Sequence, residues 1–387
     1  MEAGQYLRLE TTGRTSGTPH QVLLRYIAAN DGIVVFPLNT GSQDWVKNVS
    51  ENPMVKVFSA AGESTGTAQI KEITGLGDPL LSIFTRKYGR LTVNRWYKGQ
   101  RLYVQVSISK KLGALNYDEL VYGDLEAAFD SVADSYDRHI FGNPINTWLR
   151  NVSIGVMKTI FRPGSTVLEI GCGTGTETLS LANAGIRVVA CDISQKMLDV
   201  LTEKARSAGL SEAVVPVHCK PIELVSKMHI LGISSLDGAY STYGTVNTEP
   251  NLDVMIRSIH SILKEDAPLI LGVWNKYCLY EMMGYTLKLN PGMAFARMKN
   301  PVPLGKSRFC VATNAFSVGE LRMLLQPWFR IDNVLGVVVT LPPSNLTKYL
   351  PNGRLLDFMK RLDLILGRTF PGNRVGDHFL ALCRRAS

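Results

Sequence analysis

Two acids and three glycines are spaced for ligand chemistry. In VLEIGCGTGTETLSLA (167–182) the glycines are Gly171, Gly173 and Gly175, and Glu169 stands two residues before the first. A dinucleotide fingerprint needs glycine at the first, third and sixth positions of such a loop; here the sixth is Thr176. A carboxylate at 169 repels a pyrophosphate and suits a ligand that carries positive charge. Free amides at the start of the following helix, near Thr174–Glu177, can still receive one carboxylate from that ligand. Asp192, closing VVACD, is placed to accept both hydroxyls of a ribose, although this alone does not separate one ribose compound from another. The set suits a ligand that bears positive charge and a ribose. The competing explanation is a glycine turn that serves only close strand–helix packing.

Positioning these residues takes a strand before Glu169, a helix after Gly175 and a second strand ending at Asp192. From about residue 120, apolar runs at 166–170, 187–191, 214–218, 236–241 and 267–274 alternate with helical segments. That rhythm predicts a parallel sheet covered on both faces. FRIDNVLGVVVTL and VGDHFLALCRR add two late strands. The first ~110 residues read differently, as six short strands and two helices. QVLLRYIA and IVVFPL flank ANDG, a tight-hairpin signal. DWVKNVSEN is helical and is stopped by Pro53. MVKVFSA and STGTAQIKEI flank AGE as a second hairpin. DPLLSIFTRKYG reads as a helix with Asp78 as N-cap, Pro79 in the first turn and Gly89 at its end. RLYVQVSIS closes the set. The expectation is a small barrel over 1–112, a linker over 113–120 and an α/β domain over 121–387.

A chain of 387 residues suits two domains. Hydrophobic content of 45% and charged content of 19% place it in the globular class. The net charge of +9 is concentrated early, with 14 Lys/Arg against 8 Asp/Glu in residues 1–112, and it specifies no partner. The six cysteines, Cys172, Cys191, Cys219, Cys278, Cys310 and Cys383, form no Cys-x-x-Cys pair, and the six histidines are scattered. Buried free thiols in a reducing cytosol and no metal site are expected. MEAGQYLRLETTG has no apolar signal core and no run is long enough to span a bilayer, so the expectation is a cytoplasmic protein without a transmembrane segment.

Residues ~120–387 resemble a class I methyltransferase that uses S-adenosylmethionine (SAM). The resemblance rests on VLEIGCGTGTETLSLA, VVACDISQKML (188–198) and LDGAYSTYGTVN (236–247). AFDSVADSYDRH (128–139) resembles the leading helix that lids the ligand in this family. The resemblance implies a Rossmann-like, doubly wound, seven-stranded and mostly parallel sheet with its last strand antiparallel. It implies Glu169, Gly171, Cys172, Gly173 and Gly175 at the methionine end and Asp192 on the ribose. Ile193 would flank the adenine, Met197 would also face the cofactor, and Thr242–Tyr243 would lie by the methyl group. Two departures stand out. Where many members carry an acid for the adenine amino group, VHCKPIEL offers Lys220, with Glu223 as the substitute. The Asn/Asp-Pro-Pro-Tyr/Phe motif of base-methylating members is replaced by STYG, so no nucleic-acid partner is expected.

A sulfonium methyl is already activated, so alignment dominates the catalysis, worth about 7–11 kcal/mol in favourable cases. A base is needed only for an acceptor that is protonated at the working pH. The candidates are Tyr136, His139, Tyr243 and Glu281. The insert at 275–300 carries Tyr277, Tyr280, Met283, Tyr285, Met293 and Phe295, which suits either an apolar acceptor pocket or ordinary core. RLLDFMKRLDLILGR (354–368) is amphipathic and basic. It would either touch a membrane surface or pack one face.

Residues ~5–108 resemble the deazaflavin-dependent nitroreductases, whose split β-barrel is related to flavin-binding barrels, on TTGRTSGTPHQVLLRY (11–26) and DWVKNVSENPMVKV (44–57). This resemblance implies that Arg14 and Ser16, with Lys47 nearby, hold the phosphorylated tail of a deazaflavin coenzyme, or FMN. Ser50 and Glu51 stand where members carry a cation. Two readings stay open: a cofactor-binding reductase domain in a bifunctional enzyme, or a barrel kept for homodimerisation or docking. The leading expectation is a SAM-dependent methyltransferase of a small, rather apolar molecule. Its rivals are a SAM-sensing protein, an oxidoreductase with an accessory SAM-binding domain, and a nucleic-acid methyltransferase.

Overall fold

The computed structural model describes residues 6–29, 32–35, 44–59, 62–73, 102–108, 117–298, 302 and 313–386. The chain divides into two units, Met1–Leu125 and Glu126–Ser387, with the division inside the helix Tyr117–Asp130.

In the first unit, apolar residues recur at every second position: Leu7 and Leu9, Leu24 and Tyr26, Val55 and Val57, Val104 and Val106. Period two puts them on one face of each strand, and curling that face inward buries it. Six antiparallel strands do so: β1 (Tyr6–Thr12), β2 (Pro19–Ala29), β3 (Gly32–Val35), β4 (Met54–Ser59), β5 (Gly62–Glu72) and β6 (Leu102–Ile108). They close as β1-β2-β3-β6-β5-β4. The helix Asp44–Glu51 plugs this core with Trp45, Val46 and Val49. The helix expected over DPLLSIFTRKYG and the tip residues of both hairpins lie outside the described residues. So does the start of the expected linker, whose last part is already helical from Tyr117.

The second unit has strands apolar on both faces, which only helices on both sides can bury. The strands are β7 (Thr166–Ile170), β8 (Arg187–Asp192), β9 (Val214–His218), β10 (Gly238–Ser241), β11 (Pro268–Trp274), β12 (Phe329–Val337) and β13 (His378–Arg385). Their order is β12-β13-β11-β10-β7-β8-β9. β7 to β11 run parallel, and β13 is antiparallel to both β11 and β12. Leu168, Val189, Ala239 and Leu269 build the core on one face, and Val167, Val188, Tyr240 and Ile270 build it on the other. This is the mixed seven-stranded, Rossmann-like sheet expected, with its last strand reversed. The strand order turns back between β7 and β10, the switch point at which open α/β sheets bind ligands.

Two helices that shape the edge are fixed by their first turns. Asn143 caps Pro144–Ile160 by accepting from Ile145 N–H at 3.0 Å, with Pro144 in the first turn. Ser194 caps Gln195–Ser207 by accepting from Met197 N–H at 3.1 Å. The helix Arg354–Leu366 packs Leu356, Met359 and Leu364 inward but leaves Leu355, Phe358 and Ile365 exposed. Its buried Asp363 accepts from the amides of Val338, Val339 and Thr340. Among the described residues no helix is long and apolar enough to cross a membrane.

Candidate functional site

After β7 the chain must turn sharply to enter the helix Thr176–Ala182. Gly171, Gly173 and Gly175 do this at φ of 73°, 53° and 83°, in the left-handed region where side chains are strained. A Cβ at 171 would stand 1.9 Å from Thr245 Oγ1, and one at 175 would stand 2.1 Å from Leu201 Cδ1. At 173 a Cβ would meet only the Tyr136 ring, at 3.7 Å. Two glycines therefore serve close packing as well as the turn, while the third keeps the main chain open beneath Tyr136.

Asp192 ties this loop to the next. Its Oδ2 accepts from Gly173 N–H at 2.7 Å and its Oδ1 from Ser194 N–H at 2.9 Å. Burial pushes its carboxyl up and those amides oppose the push. Each oxygen keeps a lone pair for a further donor. Met197 and Cys172 are buried beside the two loops, and the Ile193 carbonyl lies 2.7 Å from His218 Nε2.

Glu169 lies deeper than its spacing implied. It is buried, and its Oε2 accepts from Tyr240 Oη at 2.7 Å and from Thr178 Oγ1. Burial first, and then Glu177, push its pKa up to about 8. Burial and a second acid close by thus favour the protonated form over the fixed anion expected. Glu177, which the sequence reading used only for its amide, pairs through Oε2 with the buried Arg150. Its Oε1 is buried and has no partner among the described residues. Two acids and one guanidinium are thus buried together under the loop.

Three carboxylates reach the strand ends: Asp130 and Asp137 of the segment resembling a lid, and Glu126 just before it. Glu126 is 3.2 Å from His218 Nε2. Asp130 accepts from Ser194 Oγ at 2.5 Å. Asp137 accepts from Thr174 Oγ1 at 2.5 Å and pairs with Lys204. These contacts reach the ends of β9, β8 and β7 in turn.

The four candidate bases fare differently. Tyr136 is half-buried over Gly173, and burial first, eased by Arg150, pushes its pKa up. His139 is exposed on the helix Ala133–Phe141. Tyr243, at φ 52°, follows the buried Thr242 and turns its hydroxyl to the Leu149 carbonyl and to Ser153. Arg150 lies 5.2 Å from its ring, and burial pushes the phenol pKa up. A hydroxyl so held positions its ring and is unsuited to taking a proton. Glu281 is buried in a bond to Arg297 at 2.7 Å, so it too is engaged. Glu223 accepts from its own turn, at Lys220 N–H, 2.9 Å. In the insert, Tyr277, Met283, Met293 and Phe295 are exposed, which removes the ordinary-core reading for them.

In the first unit, Arg14 pairs with Asp44 at 3.2 Å and also donates to Asn48 Oδ1 at 3.3 Å. Ser16 Oγ lies 2.8 Å from Thr18 Oγ1 and 3.3 Å from His20 Nε2. Lys47 is exposed on the helix Asp44–Glu51. The cation expected for a phosphate is already shared with an acid. Among the described residues no group of three or more His, Cys, Asp or Glu is placed to hold a metal ion.

Residues 167–266 match the family model described as a methyltransferase domain. The match lies wholly within the second unit. An uncharacterised protein of Methanocaldococcus jannaschii is 30% identical over 172 residues, covering 44% of this chain and 59% of that protein. The demethylmenaquinone methyltransferase of Thermobifida fusca is 34% identical over 88 residues, 22% of this chain and 36% of that one. The chain thus spans less than two thirds of the length of these curated relatives. A solved SAM-dependent methyltransferase of Thermotoga maritima, titled a possible histamine N-methyltransferase, is 16% identical with a TM-score of 0.44. That match covers 67% of this chain and 99% of the other.

The sequence pattern did not reveal one cluster in the second unit. Arg297 is buried against Glu281 and against Asp377 at 2.5 Å, with its guanidinium 4.5 Å from the Trp274 ring. Asp377 in turn lies 3.0 Å from His378 Nδ1. The one signal available was the adjacent Asp377-His378 at the head of the last strand; their partners lie about 80 and 100 residues upstream.

Proposed function

We propose that the second unit transfers a methyl group from SAM to a small molecule. The observation that carries this reading is the buried acid pair under the glycine loop. A buried carboxylate oxygen, Glu177 Oε1, lacks a partner there, beside Glu169. An orphaned buried acceptor is costly, and a ligand ammonium relieves that cost. The unpartnered oxygen thus suits a ligand group that donates, as an ammonium does, and gains nothing from a diphosphate, which only accepts. In this reading Glu169, Glu177, Gly171, Cys172, Gly173 and Gly175 surround the methionine end. Asp192 takes ribose hydroxyls on its spare lone pairs, and Ile193 and Met197 border the adenine. Thr242 and Tyr243 border the methyl group, which SAM supplies already activated on sulfur. Tyr136 and the segment with Asp130 and Asp137 close over the ligand and exclude water. The exposed apolar side chains of the insert suit a rather apolar acceptor.

The finer part of the proposal concerns the barrel. Lys47, Ser16 and the Arg14–Asp44 pair would meet an anionic tail of a deazaflavin or FMN only if Arg14 exchanged partners. Absorbance and fluorescence of the purified chain test this, and a colourless protein that takes up neither coenzyme contradicts it. For the transferase, native mass spectrometry of the full chain is run with SAM, S-adenosylhomocysteine and NADH. The expected result is one equivalent of either adenosyl compound and no NADH. Uptake of NADH, or of none of the three, would overturn the reading.

A further inference from the structure

The head of the last strand presents a histidine that the proposed chemistry can use. His378 opens β13, where it pairs with Trp274 at the end of β11 and with Val337 of β12. It therefore stands at the same sheet edge as the glycine loop, beyond β10 and β11 in the strand order. Its ring meets the ring of Tyr243 edge-on at 6.0 Å. The side chain is 15% exposed, so solvent or a ligand reaches it. Nε2 has no hydrogen-bond partner among the described residues, whereas Nδ1 is 3.0 Å from Asp377 Oδ2.

Asp377 is fixed as an anion. Burial alone would raise its pKa, but Arg297 and His378 hold it well below the usual carboxylate range. Arg297 also donates to Glu281 and to the carbonyls of Asn275 and Asp377, so the guanidinium cannot turn away. A fixed anion on Nδ1 keeps the neutral ring's proton there and leaves the lone pair on Nε2. The charged and titratable groups around the ring are Asp377, then Arg297 and Glu281 behind it, and Tyr243 across from it. The Tyr243 hydroxyl is turned away to Leu149 and Ser153.

We propose that His378 is the general base of the methyl transfer and that the acceptor is an O–H or N–H nucleophile. Asp377 and Arg297 are its positioning residues. As the acceptor oxygen or nitrogen forms its bond to the methyl carbon, the carbon–sulfur bond breaks with its electron pair going to sulfur. The sulfonium becomes a neutral thioether, and the acceptor proton passes to His378 Nε2. The resulting imidazolium is held by Asp377 until it gives the proton to water. This rests on the transferase reading.

The test uses the full chain labelled with ¹⁵N-histidine, with the His378 signals assigned by their loss in His378→Asn. A long-range ¹H–¹⁵N correlation at neutral pH is expected to show His378 protonated at Nδ1 and bare at Nε2, and Asp377→Asn is expected to mix the tautomers. A proton on Nε2 in the wild-type chain would overturn the proposal. In parallel, labelled methyl is followed from SAM into the small-molecule fraction of a cell extract. His378→Asn should lower the rate about 10²–10⁴-fold with SAM affinity unchanged, and the residual rate should climb with pH as the acceptor ionises by itself. An unchanged rate and pH profile would show a merely structural histidine. A wild-type chain that binds no SAM would sink the transferase reading instead, and the tautomer would still report on the dyad.

Discussion

At the β7–β8 end of the sheet edge, the site is shaped by main chain. Three glycines turn where side chains are strained, and Asp192 takes two amides within a few residues of the loops it joins. At the β11–β13 end, the edge is shaped by long side chains brought from far apart. Glu281, Arg297 and Asp377 meet in a buried cluster, and His378 stands on its rim. The first end is a local solution, so it can recur in any chain that keeps the spacing. The second is a tertiary one, held by charge pairing in a place without water, and it can be rebuilt for each acceptor. In the proposed reading the first end would hold the methyl donor and the second would face the acceptor.

The largest effect is expected from Arg297→Met. It would leave Glu281 and Asp377 buried without their cation, at a cost of about 3–5 kcal/mol. Chemical denaturation of the full chain measures this, and a loss under about 1 kcal/mol would mean the cluster is wetter than it looks. On the other side, Gly171→Ala drives a methyl into Thr245 and strains a φ of 73°. About 2–4 kcal/mol is expected from overpacking and left-handed strain together. SAM affinity should fall with it, since the loop must shift.

These two predictions also mark how far the sequence could be read. The glycine spacing, Glu169 and Asp192 were legible because each acts within one strand–loop–helix unit. The parallel strands followed from apolar runs, and the reversal of the last strand only from the family resemblance. The barrel strands followed from alternation at Leu7 and Leu9 or Val104 and Val106. The Arg297 cluster was illegible because no periodicity joins residues 281, 297 and 377. The raised pKa of Glu169 was hidden for a related reason: it depends on burial and on Glu177 coming close, against the bonds from Thr178 and Tyr240. The inward Asp363 reversed part of an amphipathic pattern that sequence alone would bury on its apolar side.

A smaller effect is expected from Asp192→Asn. One amide loses its carboxylate, costing about 1–3 kcal/mol, and SAM binding should weaken on isothermal titration. Unchanged affinity would remove Asp192 from the ribose assignment. The smallest concerns Glu169→Gln and shows mainly as a pH effect. The folded pKa of about 8 lies above the ordinary 4.5. Between these values the folded chain holds a proton that the unfolded chain has lost, so this stability is full below about pH 4.5 and fades as pH rises toward 8. Thermal melts from pH 5 to 8 should slope downward in the wild type and less steeply in Glu169→Gln. Equal slopes would place the titration elsewhere.

The most direct measurement of the central claim is calorimetric titration of the full chain with SAM at pH 7, in two buffers of different ionisation enthalpy. The account predicts a single site per chain and release of up to about one proton, as the arriving cation ionises Glu169. No binding at saturating SAM would contradict it.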